Sequence, residues 1–184
     1  MTPALLDRAL VEEATKKSGL IWVRGTGTAD RALWHVWHDG AAYVVGGGPG
    51  EQPLEGLADG GTAEVTVRSK DKGGRLVTWT AAVSEVAPPS SRLRSDRGDS
   101  HHGELWETVA AELKAKRLNA PDGEAVTGRW ARECRVLCLA PVEVHTEMPE
   151  GSLAARPVET PATTRHPIPA ALPRLLLKRK RKRG

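Results

Sequence analysis

The sequence LWHVWHDGAAYVV, residues 33–45, reads as two β-strands joined by a tight turn. Asp39 and Gly40 form the turn, because this dipeptide tolerates the positive φ angles that a two-residue hairpin needs. Successive side chains of a strand point to opposite faces, so Trp34 and Trp37 fall on different faces of the first strand. The stretch therefore predicts an antiparallel hairpin with apolar side chains on both faces.

Other stretches of the chain also have the composition of strands. They cover residues 20–24, 62–68, 75–86 and 135–144, in addition to the first hairpin strand over residues 32–38. Several short strands joined by turns indicate a closed antiparallel barrel rather than a parallel βαβ sheet. We therefore predict a mainly β fold with flanking helices (α+β).

The N-terminal segment predicts a helix over residues 3–18. A threonine can cap its start, a proline suits its first position, and a glycine follows its end. Leu6, Leu10 and Ala14 recur at four-residue spacing, so we expect them to form the buried stripe.

Two more helices follow the strands. Apolar residues of the segment 106–113 recur at i, i+3, i+4 and i+7, the pattern of an amphipathic helix. A short helix is expected around residues 124–132. The polar, unpatterned residues 88–103 predict a surface loop before the first of these helices.

The net charge of +4 is divided unevenly along the 184 residues. Residues 150–184 contain nine Lys or Arg and two Asp or Glu, a charge of +7, which leaves −3 for residues 1–149. Residues 178–183 are six consecutive cations. The C-terminal part is rich in Pro, Thr and Ala without a periodic apolar face, which is typical of disorder. We expect one folded domain over residues 1–149 and a disordered, Pro-rich tail over 150–184.

The two cysteines, Cys134 and Cys138, lie four residues apart in a strand-like run. At strand rise they are separated by about 13 Å, which no disulfide spans, so we expect reduced, buried thiols. Reduced thiols are typical of a reducing compartment. The charged N-terminus predicts neither a signal peptide nor a membrane span, and we expect a soluble cytoplasmic protein.

The order of elements and two motifs resemble the pyridoxamine 5′-phosphate oxidase-like split barrels. In that family the second strand commonly reads apolar-Trp-x-x-Trp-x-Asp-Gly, as residues 33–40 do here. The closing strand commonly ends in an apolar run followed by proline, as residues 136–142 do. The resemblance spans residues 5–147. It implies an antiparallel split β-barrel of the FMN-binding type, with FMN or the related deazaflavin as cofactor, and a homodimer with two flavins in clefts between its subunits.

In that family a Ser or Thr and a Lys or Arg just after the third strand hold the cofactor phosphate. Here that place has Gly46, Gly47 and Gly48, followed by Glu51 and Gln52. Consecutive glycines let backbone N–H groups approach an anion closely, so the glycines and Gln52 form one candidate phosphate site.

A second set of candidate residues lies at the end of the fourth strand. Arg68, Ser69, Lys70 and Lys72 would supply positive charge and a hydroxyl to a phosphate. Trp79, or Trp34 in its place, would offer an aromatic wall to an isoalloxazine ring.

Structural interpretations of the same residues stay open. A glycine run is most often a flexible turn, and residues 69–75 also read as a solvated hairpin loop. Trp34 and Trp79 would fill the core of a chain that has no Phe. His101 and His102 have acidic neighbours but no recognised ligand spacing, so we predict no metal site.

Two functions remain from the sequence. The first is a flavin- or deazaflavin-binding homodimer, an oxidoreductase whose cofactor supplies the chemistry. The second is a cofactor-less barrel that serves as a binding or scaffold protein, with a basic tail that contacts nucleic acid or an anionic membrane surface. The tail also reads as a solubilising segment without a partner. The acidic domain disfavours a barrel that binds nucleic acid through its own surface, and no pattern identifies a substrate.

Overall fold

A computed structural model describes residues 3–69, 75–89, 100–118, 120 and 122–145 of the chain. Lys70 and Lys72, and the tail predicted over residues 150–184, lie outside the described residues. The domain boundary at residue 149 therefore stays a prediction.

The described residues form three α-helices, one 3₁₀ turn and seven strands. In chain order they are α1 (Pro3–Lys17), β1 (Leu20–Arg24), β2 (Arg31–Trp34), β3 (Val36–His38), β4 (Ala41–Gly46), β5 (Thr62–Arg68), β6 (Arg75–Glu85), α2 (Ser100–Lys116), a 3₁₀ turn (Gly123–Ala125), α3 (Val126–Glu133) and β7 (Arg135–His145). The predicted β3–β4 hairpin is confirmed, with positive φ angles of 40° at Asp39 and 80° at Gly40.

The seven strands form one antiparallel sheet in the order β2-β1-β5-β6-β7-β4-β3. The two edge strands are consecutive in the chain, and only His35 separates them. The sheet therefore curls until its edges meet through one continuous backbone segment. The predicted fold class, a mainly β antiparallel split barrel with flanking helices, is confirmed.

The single strand predicted over residues 32–38 was wrong in one respect, because it is divided at His35. Its first half pairs with β1, and its second half pairs with β4. A residue at the point where the partner changes cannot belong to both ladders. The backbone carbonyl of His35 instead accepts a hydrogen bond from Lys116 Nζ at 3.2 Å.

The interior of the curled sheet is filled by a first apolar cluster. Its members come from alternate positions of the strands, as a barrel interior requires. They include Ile21, Val23, Leu33, Val44, Val65, Val67, Val77, Trp79, Leu137 and Leu139. Val11 and Ala14 of α1 close one end of this cluster.

A second apolar cluster lies outside the barrel, between β3, β4 and β7 and the helices α2 and α3. It includes Val36, Tyr43, Val45, Trp106, Val109, Leu113, Val126, Trp130 and Val136. All six residues of β4 are buried, because this strand has the interior cluster on one face and the helices on the other. The half-buried Cys134 and Cys138 pack against this cluster as free thiols.

The buried stripe predicted for α1 was wrong at Leu10, which is 46% exposed. Ala14 is buried as predicted, and the helix buries Val11 and Thr15 in addition. The carbonyl of Thr15 accepts a hydrogen bond from His35 Nε2 at 3.0 Å, and this contact fixes the rotation of the helix over the barrel. The side chain of Leu6 is outside the described part of the helix.

The loop predicted over residues 88–103 was too long, because α2 begins at Ser100. Residues 90–99 of that loop are not among the residues that the structure describes. The short helix predicted around residues 124–132 is confirmed as the 3₁₀ turn and α3.

His35 predicts a loss of stability in mild acid. The pKa of its imidazole is lowered from 6.5 to about 4, mainly by burial; the Thr15 hydrogen bond opposes this shift, and the charge of Lys116 adds to it. The imidazole therefore binds a proton near pH 6.5 in the unfolded chain, but only near pH 4 in the folded chain. The free energy of unfolding should fall by about 3 kcal/mol as the pH drops through this window.

Urea unfolding followed by Trp fluorescence at pH 7, 5.5 and 4 measures this loss. The variant His35→Gln should be less stable than the parent at pH 7 but should lose less stability on acidification. The exposed His145→Gln is the matched control and should retain the parental pH dependence. Identical pH dependence in the parent and His35→Gln would contradict the assignment.

Candidate functional site

The described residues line at least two clefts on the surface of the barrel. The first, which we call the α1 cleft, has a volume of about 330 Å³ and lies between α1 and the adjoining ends of β5 and β6. Its lining consists of Leu10, Glu13, Ala14, Lys17, Ser18, Arg68, Ser69 and Leu76. The second, the glycine cleft, has a volume of about 480 Å³ and is lined by Gly47, Gly48, Glu51, Gln52, Pro53, Leu54, Glu55 and Arg135.

The walls of the α1 cleft are mostly apolar. Leu10 and Leu76 are 46% and 51% exposed, and Ala14 lies between them and the barrel interior. Leaving such side chains half in water forgoes part of the stabilisation, about 1.5–3 kcal/mol, that full burial of a leucine gives. A ligand or segment that covers them would recover it.

Two cations border the same cleft. The guanidinium carbon of Arg68 lies 4.5 Å from the centre of the Trp22 ring, a cation–π contact. Within the described ranges Arg68 has no carboxylate partner. Lys17 pairs with Glu13 one turn earlier in α1, and this pairing lowers the pKa of the Glu13 carboxyl.

The glycine cleft has an internal ion-pair network instead. The fully buried carboxylate of Glu51 accepts hydrogen bonds from three donors, two on α3 and one directly after α2. Arg129 Nη2 lies at 2.8 Å and Trp130 Nε1 at 3.0 Å from Oε1, while Arg117 Nε lies at 3.1 Å from Oε2. The carboxylate thus joins the glycine loop to α3 and to the end of α2.

Arg129 also holds a second carboxylate. Its Nε donates to Asp122 Oδ2 at 2.7 Å, and its Nη1 donates to the carbonyl of Pro49 at 2.8 Å. The hydrogen bonds to Asp122 and Glu51 raise the pKa of the guanidinium, and Arg129 lowers the pKa of Asp122. The two positive charges of Arg117 and Arg129 are balanced by the two negative charges of Glu51 and Asp122. The network therefore has no net positive charge that would attract a phosphate.

The side chain of Gln52 forms hydrogen bonds with backbone groups of β2 and β4. Its Oε1 accepts from the Trp34 amide at 2.9 Å, and its Nε2 donates to the carbonyls of Trp34 and Val45 at 2.9 and 3.0 Å. A ligand that engaged this amide would have to replace three hydrogen bonds.

Close packing requires glycine at positions 46 and 48 of the loop, and a positive φ of 75° favours glycine at Gly47. A Cβ at Gly46 would overlap the carbonyl oxygen of Gln52, and a Cβ at Gly48 would overlap that of Glu133. The amide of Gly47 donates to the Gln52 carbonyl at 2.9 Å. Phosphate cradling by these glycines stays a prediction, and their packing and backbone angles account for the residue type without a ligand.

The predicted cofactor residues are divided between separate places. Arg68 and Ser69 line the α1 cleft, whereas Gly47, Gly48 and Gln52 line the glycine cleft. Trp79 has its whole side chain inside the barrel, edge-on to Trp37 with ring centres 6.5 Å apart.

Sequence reasoning missed the apolar half of the α1 cleft and the partners of Glu51. Leu10 was assigned to the core, and no local pattern marks Leu76 as exposed. Arg117 and Arg129 lie 66 and 78 residues from Glu51, so no spacing rule connects them. The acidic residue in a glycine loop was the single available signal, since a buried carboxylate needs cationic partners.

No helix within the described ranges has the length and apolar character needed to span a membrane. In the same ranges no group of three or more metal-ligating side chains converges.

The Glu51 network predicts a large stability loss on removal of one side chain. Glu51→Ala would leave Arg117 without its carboxylate and Trp130 without its acceptor, so we expect a loss of about 3 kcal/mol in the free energy of unfolding. Glu55→Ala, which removes an exposed pair with Arg31, should have a much smaller effect. Urea unfolding measures both, and equal losses would show that the buried network contributes no more than a surface ion pair.

No family model and no curated protein matches the chain. Among solved structures, it is similar to a protein described as general stress protein 26 from Jannaschia sp. CCS1, with 13% identity, a TM-score of 0.45 and coverage of 76% of each chain. It is also similar to Campylobacter jejuni ChuZ, with 9% identity and a TM-score of 0.44. That match covers 77% of this chain and 55% of the other. Another similar structure is that of the FAD and heme binding protein from Mycobacterium smegmatis, with 14% identity, a TM-score of 0.42 and coverage of 94% of each chain. Likenesses this distant carry no inference about what the chain binds.

Proposed function

We propose that this chain binds a flavin nucleotide, FMN or the related deazaflavin, in the α1 cleft. The observation that carries the proposal is the pairing of half-exposed apolar side chains with an arginine that no carboxylate neutralises in the described part of the chain. A flavin nucleotide presents the matching chemistry, a flat apolar ring system and an anionic phosphate.

The ring system fits the apolar part of the cleft. Leu10, Ala14 and Leu76 provide a surface that covers aromatic carbon without a polar partner. The cleft volume of about 330 Å³ is at the lower end of small-molecule sites, so part of the cofactor would stay open to solvent or to a second subunit.

The phosphate fits the polar part. Arg68 offers a guanidinium that can donate two hydrogen bonds to one phosphate, whereas the charge of Lys17 is already balanced by Glu13. The Trp22 ring holds the guanidinium plane from one side. The glycine cleft is a poorer choice, because Glu51 and Asp122 already neutralise Arg117 and Arg129 there.

A bound flavin or deazaflavin supplies oxidation–reduction chemistry of its own, which makes an oxidoreductase the reaction class of this proposal. The chain's residues would hold and orient the cofactor, with Arg68 at the phosphate and the leucines along the ring. The pattern of the described side chains assigns no proton donor or substrate.

We include a homodimer in the proposal, as the family resemblance implies. Leu20 is half exposed and Trp22 is partly exposed on the outer face of β1, next to Arg68. A second copy that covered this face would also complete the open side of the α1 cleft. Sedimentation equilibrium should then give twice the chain mass of 19.8 kDa.

A second candidate function is a cofactor-less binding or scaffold protein. The observation that favours it is Glu51, a carboxylate buried at the position where the resembling family holds its phosphate. In this alternative the α1 cleft receives a protein or peptide, and the basic tail contacts nucleic acid or an anionic membrane surface.

Arg68→Gln tests the phosphate contact. Charge-assisted hydrogen bonds contribute about 1.5–3 kcal/mol, so the FMN dissociation constant should rise by about 10- to 100-fold. Riboflavin, which has the ring without the phosphate, should bind the parent and the variant with similar, weaker affinity. Quenching of flavin or Trp fluorescence during titration gives both constants.

Arg24→Gln is the matched control, because Arg24 is an exposed arginine of β1 already paired with Glu64. It should bind FMN like the parent. A parent protein that is colourless and indifferent to FMN, riboflavin and deazaflavin would overturn the flavin proposal and favour the second candidate. Equal FMN affinity in the parent and Arg68→Gln would place the phosphate elsewhere.

A further inference from the structure

The chain leaves the barrel beside the α1 cleft. The last residue of β7, His145, pairs with Thr78 of β6. Leu76, which lines the cleft, lies two residues from Thr78 along β6. The 39 residues after His145 therefore begin at the edge of the cleft.

The first residues after β7 can reach the cleft without any rearrangement of the barrel. An extended chain advances about 3.3 Å per residue, so three residues span about 10 Å. The distance along β6 from Thr78 to Leu76 is about 7 Å by the same measure. Met148, three residues after His145, is therefore within reach of Leu76.

The chemistry of this segment complements the cleft. Residues 146–150 read TEMPE, with Met148 as their large apolar side chain and Glu147 and Glu150 on either side of it. The cleft offers an apolar surface bordered by Arg68, and by Lys17 together with its partner Glu13. Methionine adapts to irregular apolar gaps, because its side chain is unbranched and flexible.

We propose that residues 146–150 dock in the α1 cleft and compete there with the flavin. Met148 covers Leu10 and Leu76, and a glutamate of the segment pairs with Arg68. The same apolar surface and the same arginine serve the ring and phosphate of the cofactor, so the two occupants exclude each other. The competition rests on the proposed function, whereas the docking itself does not.

Disulfide trapping in the full chain tests the docking. The double variant Leu76→Cys/Met148→Cys should form an intramolecular disulfide under mild oxidation with copper phenanthroline, because docking brings the two backbones within disulfide reach. The control, Thr80→Cys/Met148→Cys, places the first cysteine equally far from Thr78 along β6 but outside the cleft lining, so the tether at His145 favours both pairs alike. Peptide mapping by mass spectrometry distinguishes these bonds from any bond made by Cys134 or Cys138.

Titration with FMN tests the competition. Met148→Asp in the full chain should bind FMN at least about threefold more tightly than the parent, since a docked tail lowers the fraction of open cleft. Leu153→Asp alters the tail outside the docking segment and should bind like the parent.

The outcomes separate the two proposals. A Leu76–Met148 disulfide in a protein that ignores FMN supports the docking and overturns the flavin function. Trapping no faster than in the control pair overturns the docking, even if FMN binds. A specific disulfide together with equal FMN affinity in the parent and Met148→Asp overturns the competition.

Discussion

The change of strand partner at His35 is the constraint on which the rest of the structure depends. Because β2 and β3 are one continuous segment, the sheet can satisfy both ladders only by curling on itself. The backbone carbonyl of His35 accepts a hydrogen bond from Lys116 of α2, and its imidazole Nε2–H donates one to the carbonyl of Thr15 in α1. One buried residue thereby fixes the barrel closure and the position of a helix on either side of it.

This junction also determines the α1 cleft. The Thr15 contact turns Val11 and Ala14 into the barrel, and Leu10, on the same helix, is then left at the surface. The polar groups involved are not fully satisfied: Thr15 Oγ1 and His35 Nδ1 have no partner among the described residues. Buried atoms in that condition cost free energy, so the closure is maintained by the apolar clusters around it.

Strand positions and faces could be predicted from the sequence because their signals are local. Alternation placed Val65 and Val77 inward, and Asp39-Gly40 identified the hairpin from two residues. The rotation of α1 could not be predicted, since Leu10 and Val11 suit a buried stripe equally and a distant histidine decides between them. The candidate site has the same limit: Arg68 was identified by its charge, but its leucine neighbours are brought together only by the fold.

The two clefts can be compared by their charge balance. In the glycine cleft the chain supplies its own anion, and the Glu51 carboxylate, held by three donors, occupies the guanidiniums that a phosphate would need. In the α1 cleft Arg68 rests on Trp22, and no carboxylate of the described residues pairs with it, so an incoming anion displaces none of those carboxylates from that arginine. An anion from outside, or from the acidic segment after β7, therefore has less desolvation and bond breaking to overcome there. For this reason we place the phosphate and the competing glutamate at Arg68, although the family resemblance places the phosphate after the third strand.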